Sequence, residues 1–190
     1  MRPRIGTTDF SRHYWPAIIL PMMILGAAGA NAATGPGVSE YAVKAAFVYD
    51  FAKFVNWPQH AFKNDSSPIT ICVLGVNPFG DALSQLVSGK SVDGRAFTVE
   101  YPQDASAAGN CRIVFVSSSE RDRLPQILVR LGRAGALTVG DTDGFAKRGI
   151  MINLFLDGDR VRFKINPGAA ARAGIGISSK LLSLATIVKE

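Results

Sequence analysis

Two cysteines, Cys72 and Cys111, each lie in a short apolar segment, over residues 69–75 and 111–117. Both segments are rich in β-branched residues and are bounded by proline or glycine, which predicts two buried strands. A disulfide between the two thiols would join these strands within one sheet and would exclude most other arrangements of the chain. The alternative is a pair of buried free thiols. Whether the two thiols form a disulfide depends on whether the protein is exported to an oxidising compartment.

The first 32 residues predict export from the cytoplasm. Arg2, Arg4 and Arg12 precede an apolar run over residues 14–30, and the run ends in the small-residue sequence at 30–32. A positive start, an apolar centre and small residues at a cleavage position are typical of a secretory signal peptide. We therefore expect residues 1–32 to be cleaved, which leaves residues 33–190 as a single periplasmic domain.

A membrane anchor is the alternative for the N-terminal segment. A spanning helix needs about 20 apolar residues, whereas this run has 17 and is interrupted by Pro16 and Pro21. Cleavage is therefore the preferred interpretation. Export places both cysteines in an oxidising compartment, where two thiols of one small domain usually pair. A Cys72–Cys111 disulfide is expected on these grounds.

Charge and composition exclude two other classes. The chain is 47% hydrophobic and 19% charged, which excludes a largely disordered protein. The formal charge of +6 falls to +4 without residues 1–32, since 18 basic and 14 acidic residues remain. We therefore expect no nucleic-acid partner.

Residues with obvious chemistry are scarce. His60 is the one histidine after residue 32, and a hydrolase triad or a common zinc site needs a histidine positioned by neighbours. Asp141 and Asp143 are spaced as at the start of a calcium loop, but the later ligands of such a loop are missing, so a solvated turn is favoured. The expectation is a protein without catalytic residues, cofactor or metal.

The order of elements predicts an α/β domain. Ser39 caps a helix over residues 40–56 whose apolar stripe leaves Lys44 to one side. Strands and helices then alternate, with a helix from Pro78 to Val87. A β-hairpin around residues 157–159 follows, and then two helices, the first capped by Asn166 and the last by Ser178 or Ser179. This pattern indicates layers of helices on a mixed sheet.

Six stretches in order make the chain similar to the YfiR family of periplasmic regulators. They are residues 43–58, 71–80, 137–141, 149–154, 163–166 and 177–182. The resemblance implies a protein that binds the periplasmic sensor region of an inner-membrane diguanylate cyclase and keeps it inactive, which lowers cyclic di-GMP and biofilm formation. It also implies a strand-to-strand disulfide at Cys72 and Cys111. A second cysteine pair found in some members has no counterpart here.

The resemblance further implies release of the cyclase when an outer-membrane, peptidoglycan-binding lipoprotein sequesters the regulator, and it leaves a homodimer open. Trp57 is a candidate partner-binding residue, although a tryptophan after a helix is more often buried packing. From the residues alone, the alternative function is a periplasmic receptor that holds a small molecule in an apolar pocket at one end of the sheet and signals its occupancy to a membrane partner.

Overall fold

The computed structural model describes residues 39–132 and 134–189. The expected signal peptide and its cleavage position lie outside the described residues. The helices are α1 Glu40–Phe51, α2 Ala82–Val87, α3 Leu124–Gly132, α4 Pro167–Arg172 and α5 Ser179–Ser183. The strands are β1 Val55–Asn56, β2 Ile69–Leu74, β3 Ser91–Val92, β4 Arg95–Glu100, β5 Ile113–Val116, β6 Leu137–Gly140, β7 Ile152–Asp157, β8 Arg160–Ile165, β9 Gly176–Ile177 and β10 Thr186–Ile187.

A mixed sheet of eight strands forms the centre, in the order β10-β8-β7-β6-β5-β2-β4-β3. Strands β4, β2, β5, β6 and β7 are parallel to one another. Strand β8 returns antiparallel to β7, and β3 lies antiparallel to β4. The predicted mixed sheet and the C-terminal hairpin are therefore confirmed.

The central strands β2 and β5 are buried at every position. Unbroken apolar runs are typical of parallel strands that are covered on both faces, because no side of such a strand meets water. One apolar core contains Val48 and Phe51 of α1 with Leu83 of α2. A second core contains Leu124 and Leu131 of α3. The sheet is thus the middle layer of three.

The two connections from the centre of the sheet run in opposite directions. Helix α2 joins β2 to β4, and α3 joins β5 to β6 on the opposite face. In such doubly wound sheets, a crevice opens between the two central strands at their carboxyl ends, where ligands bind. Here the crevice lies after β2 and β5.

Two predicted helix boundaries were wrong. The first helix ends at Phe51 and not at Asn56, because Pro58 disfavours helix before it and Val55–Asn56 pair with Gly176–Ile177 as a second, two-stranded sheet. The helix expected from Pro78 begins at Ala82. Asn77 accepts a hydrogen bond from the backbone N–H of Phe79 in a turn, and Gly80 at φ +54° keeps that turn out of the helix.

Three side-chain caps are confirmed at helix starts. The Ser39 hydroxyl accepts a hydrogen bond from the N–H of Ala42, and the side-chain amide oxygen of Asn166 accepts one from the N–H of Ala169. Ser178, one of two serines expected to cap the last helix, accepts from the N–H of Leu181. These local signals were readable because a cap needs only the residue and the helix that follows it.

Candidate functional site

The disulfide predicted between Cys72 and Cys111 is present, with both residues fully buried and their Cα atoms 5.8 Å apart. Cys72 lies inside β2, and Cys111 lies just before β5. The bond therefore joins the two central strands, whose backbones are already paired in parallel. It fixes the pair of strands from which the carboxyl-end crevice opens.

A buried ion pair lies at the carboxyl end of β6. Lys44 of α1 places its Nζ 2.7 Å from Oδ2 of Asp141 and 2.5 Å from Oε1 of Glu40. The Tyr41 hydroxyl donates to the same Asp141 oxygen at 3.0 Å. The Lys44 and Asp141 side chains are only 4% and 8% exposed, whereas that of Glu40 is 38% exposed. Asp141 is thus the main buried partner of Lys44.

The contacts determine the charge state of this cluster. Burial lowers the pKa of Lys44, but hydrogen bonds from its ammonium group to Asp141 and Glu40 outweigh burial and raise the pKa above its usual value. Burial and the neighbouring Asp141 carboxylate raise the pKa of Tyr41. Lys44 is therefore an ammonium and Tyr41 a neutral phenol at neutral pH.

The sequence interpretation missed this cluster. Lys44 was expected beside the buried stripe of α1 and Asp141 in a solvated turn, but the two form a bridge between α1 and the end of β6. The available signal was the position of Asp141 directly after a buried strand, since the carboxyl end of a central strand lies close to helices that cover the sheet. The bridge has the geometry of an anchor for α1.

The crevice after β2 and β5 has a volume of about 700 Å³. Two apolar side chains in its lining face solvent, Val76 at 71% and Tyr101 at 47% exposure. Exposed apolar side chains that share one concavity are typical of binding surfaces. The crevice lies at one end of the sheet, where the receptor hypothesis expects an apolar pocket, but its lining also includes the charged residues Asp81, Glu120 and Arg123.

Polar groups hold the crevice in shape. The Glu120 carboxylate is buried and pairs with Arg123 at 2.7 Å, and Ser119 accepts from the N–H of Val76 at 3.0 Å. Gly75 has φ +86°, and a Cβ atom at this position would collide with the side chains of Ser119 and Glu120. The loops after β2 and β5 therefore fit together only with glycine at position 75.

Among residues 39–132 and 134–189, no group of three His, Cys, Asp or Glu side chains is placed to hold a metal ion. His60 is exposed in a short turn and is not among the residues that line the crevice. The expectation that the protein is not an enzyme stays a prediction.

Trp57 follows β1 in the chain, and its half-buried side chain contacts the residue directly before β5. Its indole N–H donates to the backbone carbonyl of Arg112 at 3.2 Å, and its ring packs edge-on against Phe62 with centroids 5.7 Å apart. These contacts are those of a packing residue. Its role in partner binding stays a prediction.

Comparison with known proteins agrees with this architecture. A family model described as YfiR/HmsC-like (DUF4154) matches residues 41–186. The crystal structure of a conserved domain protein from Vibrio cholerae O1 biovar El Tor is similar, with a TM-score of 0.54 and 14% identity over 80% of this chain. The chain spans 60% of that protein's length, so the likeness shows the fold alone.

The ABC domain from Streptococcus pneumoniae in complex with L-Trp matches with a TM-score of 0.45 and 11% identity, over 63% of this chain and 55% of its own. No helix in the described part of the present chain is long and apolar enough to cross a bilayer.

Proposed function

Because the chain belongs to the YfiR/HmsC-like family, we propose that it is a periplasmic negative regulator that binds the sensor region of an inner-membrane diguanylate cyclase. The match over residues 41–186 carries this proposal, since it includes the strands and helices from α1 to the start of β10. In the family's role, binding keeps the cyclase inactive and lowers cyclic di-GMP and biofilm formation.

The route to the periplasm is part of the proposal. Residues 1–32 act as a signal peptide and are removed, so that the domain over 33–190 folds beyond the inner membrane. The buried Cys72–Cys111 disulfide supports an oxidising location. Mass measurement of protein purified from its native host tests this step, and an intact N-terminal methionine would contradict it.

Inhibition by binding sets a thermodynamic requirement. A regulator shifts a sensor between two states only by its difference in affinity for them. A swing from 1:99 to 99:1 needs about 5.5 kcal/mol of that difference. A disulfide between the central strands and a buried ion pair at α1 reduce the conformational entropy that the domain loses on binding, which favours tight binding to the inactive sensor.

Release of the cyclase involves a competing partner. An outer-membrane lipoprotein that binds peptidoglycan sequesters the regulator and so releases the cyclase. A homodimer is compatible with this arrangement.

A second candidate function has one observation in its favour. The crevice with Val76 and Tyr101 lies where doubly wound sheets bind ligands, which supports a periplasmic receptor for a small molecule. The variant Tyr101→Ala separates the two functions. If the protein is a receptor, this variant still binds its membrane partner but loses the response to ligand, whereas inhibition of the cyclase without any ligand is unaffected by the variant.

The proposed function is tested by cyclic di-GMP in a deletion strain. We expect cyclic di-GMP to rise on deletion and to return to the starting level when the full chain is supplied from a plasmid. Supply of the variant that lacks residues 2–32 serves as the control, because it cannot be exported and should not restore the level. Unchanged cyclic di-GMP in the deletion and the complemented strain, with the cyclases intact and expressed, would overturn the proposal.

A further inference from the structure

A groove of about 540 Å³ lies between α3 and α4, and none of the residues that line it lines the carboxyl-end crevice. Leu128 and Val129 of α3 form one wall, and Arg172 of α4 belongs to the other. The short turn over residues 146–148 closes one side and contributes Lys147 and Arg148. This "basic groove" also contains no residue of the cluster around Lys44.

Cationic side chains lie at the rim of the basic groove. Lys147 and Arg148 are both exposed there, and no Asp or Glu is among the residues that line the groove. Arg148 donates to the backbone carbonyl of Arg121 at 2.9 Å, which is a neutral acceptor, and within the described part of the chain it forms no ion pair. Two cations at the rim of one concavity attract an anionic group and repel a basic one.

The floor and wall of the groove are apolar. Met151 and Ala169 are buried in the floor, and Val129 on the wall is 67% exposed. A free anion such as phosphate needs only the cations and gains nothing from this surface. The combination of an apolar floor with a cationic rim fits a group that carries both negative charge and apolar side chains.

The shape of the groove favours a protein segment over a membrane. A bilayer surface is close to planar, so it reaches protruding lysines but not the floor of a concave groove between two helices. A peptide segment places apolar side chains on the floor and carboxylates at the rim. Its ends remain in solvent, in keeping with the exposure of Val129.

We infer that the basic groove is the docking surface for an acidic segment with apolar side chains in the periplasmic sensor region of the cyclase. This inference rests on the proposed function and adds the surface and the chemistry of the partner segment. Electrostatic attraction at the rim accelerates association, and the apolar floor slows dissociation.

The test replaces two exposed side chains, and we expect the fold to stay intact. Lys147 and Val129 are exposed and belong to no ion pair or side-chain hydrogen bond among the described residues. The groove variant is Lys147→Glu with Val129→Asp. Its matched control is Lys63→Glu with Leu184→Asp, which makes the same change of charge at two unrelated exposed positions, and Leu184 at 68% exposure matches Val129.

Full-length cyclase in detergent-solubilised membranes is captured on the tagged full chain, and cyclic di-GMP is measured in the complemented deletion strain. We expect the wild type and the control to capture equal amounts of cyclase, and the groove variant to capture about tenfold less and to leave cyclic di-GMP high. Thermal unfolding at the wild-type temperature excludes a folding defect. If the groove variant unfolds early, Lys147→Glu alone is tested in the same way.

The outcomes separate the two proposals. Capture by the groove variant at the wild-type level overturns the docking surface and leaves the proposed function standing. Failure of the wild type to capture the cyclase or to lower cyclic di-GMP overturns both. Cosedimentation of the wild type, but not of the groove variant, with phosphatidylglycerol vesicles, together with unchanged cyclase capture, overturns the protein segment in favour of a lipid surface.

Discussion

Replacement of Asp141 by asparagine tests whether the buried ion pair anchors α1. Asn keeps the size of the side chain and an acceptor oxygen for the Tyr41 hydroxyl, but it removes the charge that faces Lys44 at 2.7 Å. Lys44, with 4% of its side chain exposed, then keeps only the outer carboxylate of Glu40 as a charged partner. The perturbation is therefore a buried ammonium with reduced compensation.

The loss in the free energy of unfolding depends on how deeply the ion pair is buried. Removal of one partner from a buried pair costs about 3–5 kcal/mol, and we expect about 3 kcal/mol because Glu40 remains. For a domain of this size, the melting temperature should fall by roughly 6–12 °C. Glu40→Gln removes the ion pair between Lys44 and a carboxylate whose side chain is 38% exposed, so the free energy of unfolding should fall by less than about 1 kcal/mol.

Urea unfolding, followed by far-UV circular dichroism, gives the free energies of unfolding of Asp141→Asn and Glu40→Gln relative to the wild type. The double variant Lys44→Met with Asp141→Leu removes both buried charges and should be more stable than Asp141→Asn alone, since apolar side chains replace buried pairs at little cost. Equal losses for Asp141→Asn and Glu40→Gln would refute the reasoning, because the depth of burial would then have no effect.

Three further predictions follow from other contacts. Double replacement of Cys72 and Cys111 by serine should cost about 4 kcal/mol, because the bond closes a loop of 39 residues; full thiol labelling of the denatured, unreduced wild type would contradict the bond. Gly75→Ala should lower the urea midpoint, with Gly89→Ala as a control at positive φ in open space, and equal losses would show that the collision with Ser119 has no effect. Because the pKa of Lys44 is raised in the folded protein, its stabilisation should be constant below about pH 10.5 and be lost as the pH rises further. Melting temperatures from pH 7 to 11.5 should therefore fall more steeply in the wild type than in Lys44→Met, in which Tyr41 with its raised pKa still titrates, and parallel curves would contradict this.

Much of the fold could be predicted from the sequence because its signals are local. The apolar runs at 69–74 and 113–116 and the caps at Ser39 and Asn166 each depend on a few neighbouring residues. The expectation of export, the even number of cysteines and their placement in two predicted strands were enough to predict the disulfide, since pairing in an oxidising compartment does not require knowledge of the register.

The rest depends on contacts between distant segments. Lys44 and Asp141 are 97 residues apart, so the helical stripe of α1 could not show that a lysine beside it meets a carboxylate. Residues 55–56 leave the first helix because they pair with residues 176–177. The basic groove likewise joins residues of α3, a turn and α4, none of which forms a motif in the sequence.

Reconstitution with the cyclase tests the central proposal most directly. Full-length diguanylate cyclase in lipid nanodiscs is supplied with GTP, and formation of cyclic di-GMP is followed while the purified full chain is titrated on the periplasmic side. We predict a saturable fall in the rate, with the groove variant Lys147→Glu with Val129→Asp displaced to about tenfold higher concentration. A rate that stays constant at every concentration of correctly folded, disulfide-bonded protein would contradict inhibition by binding.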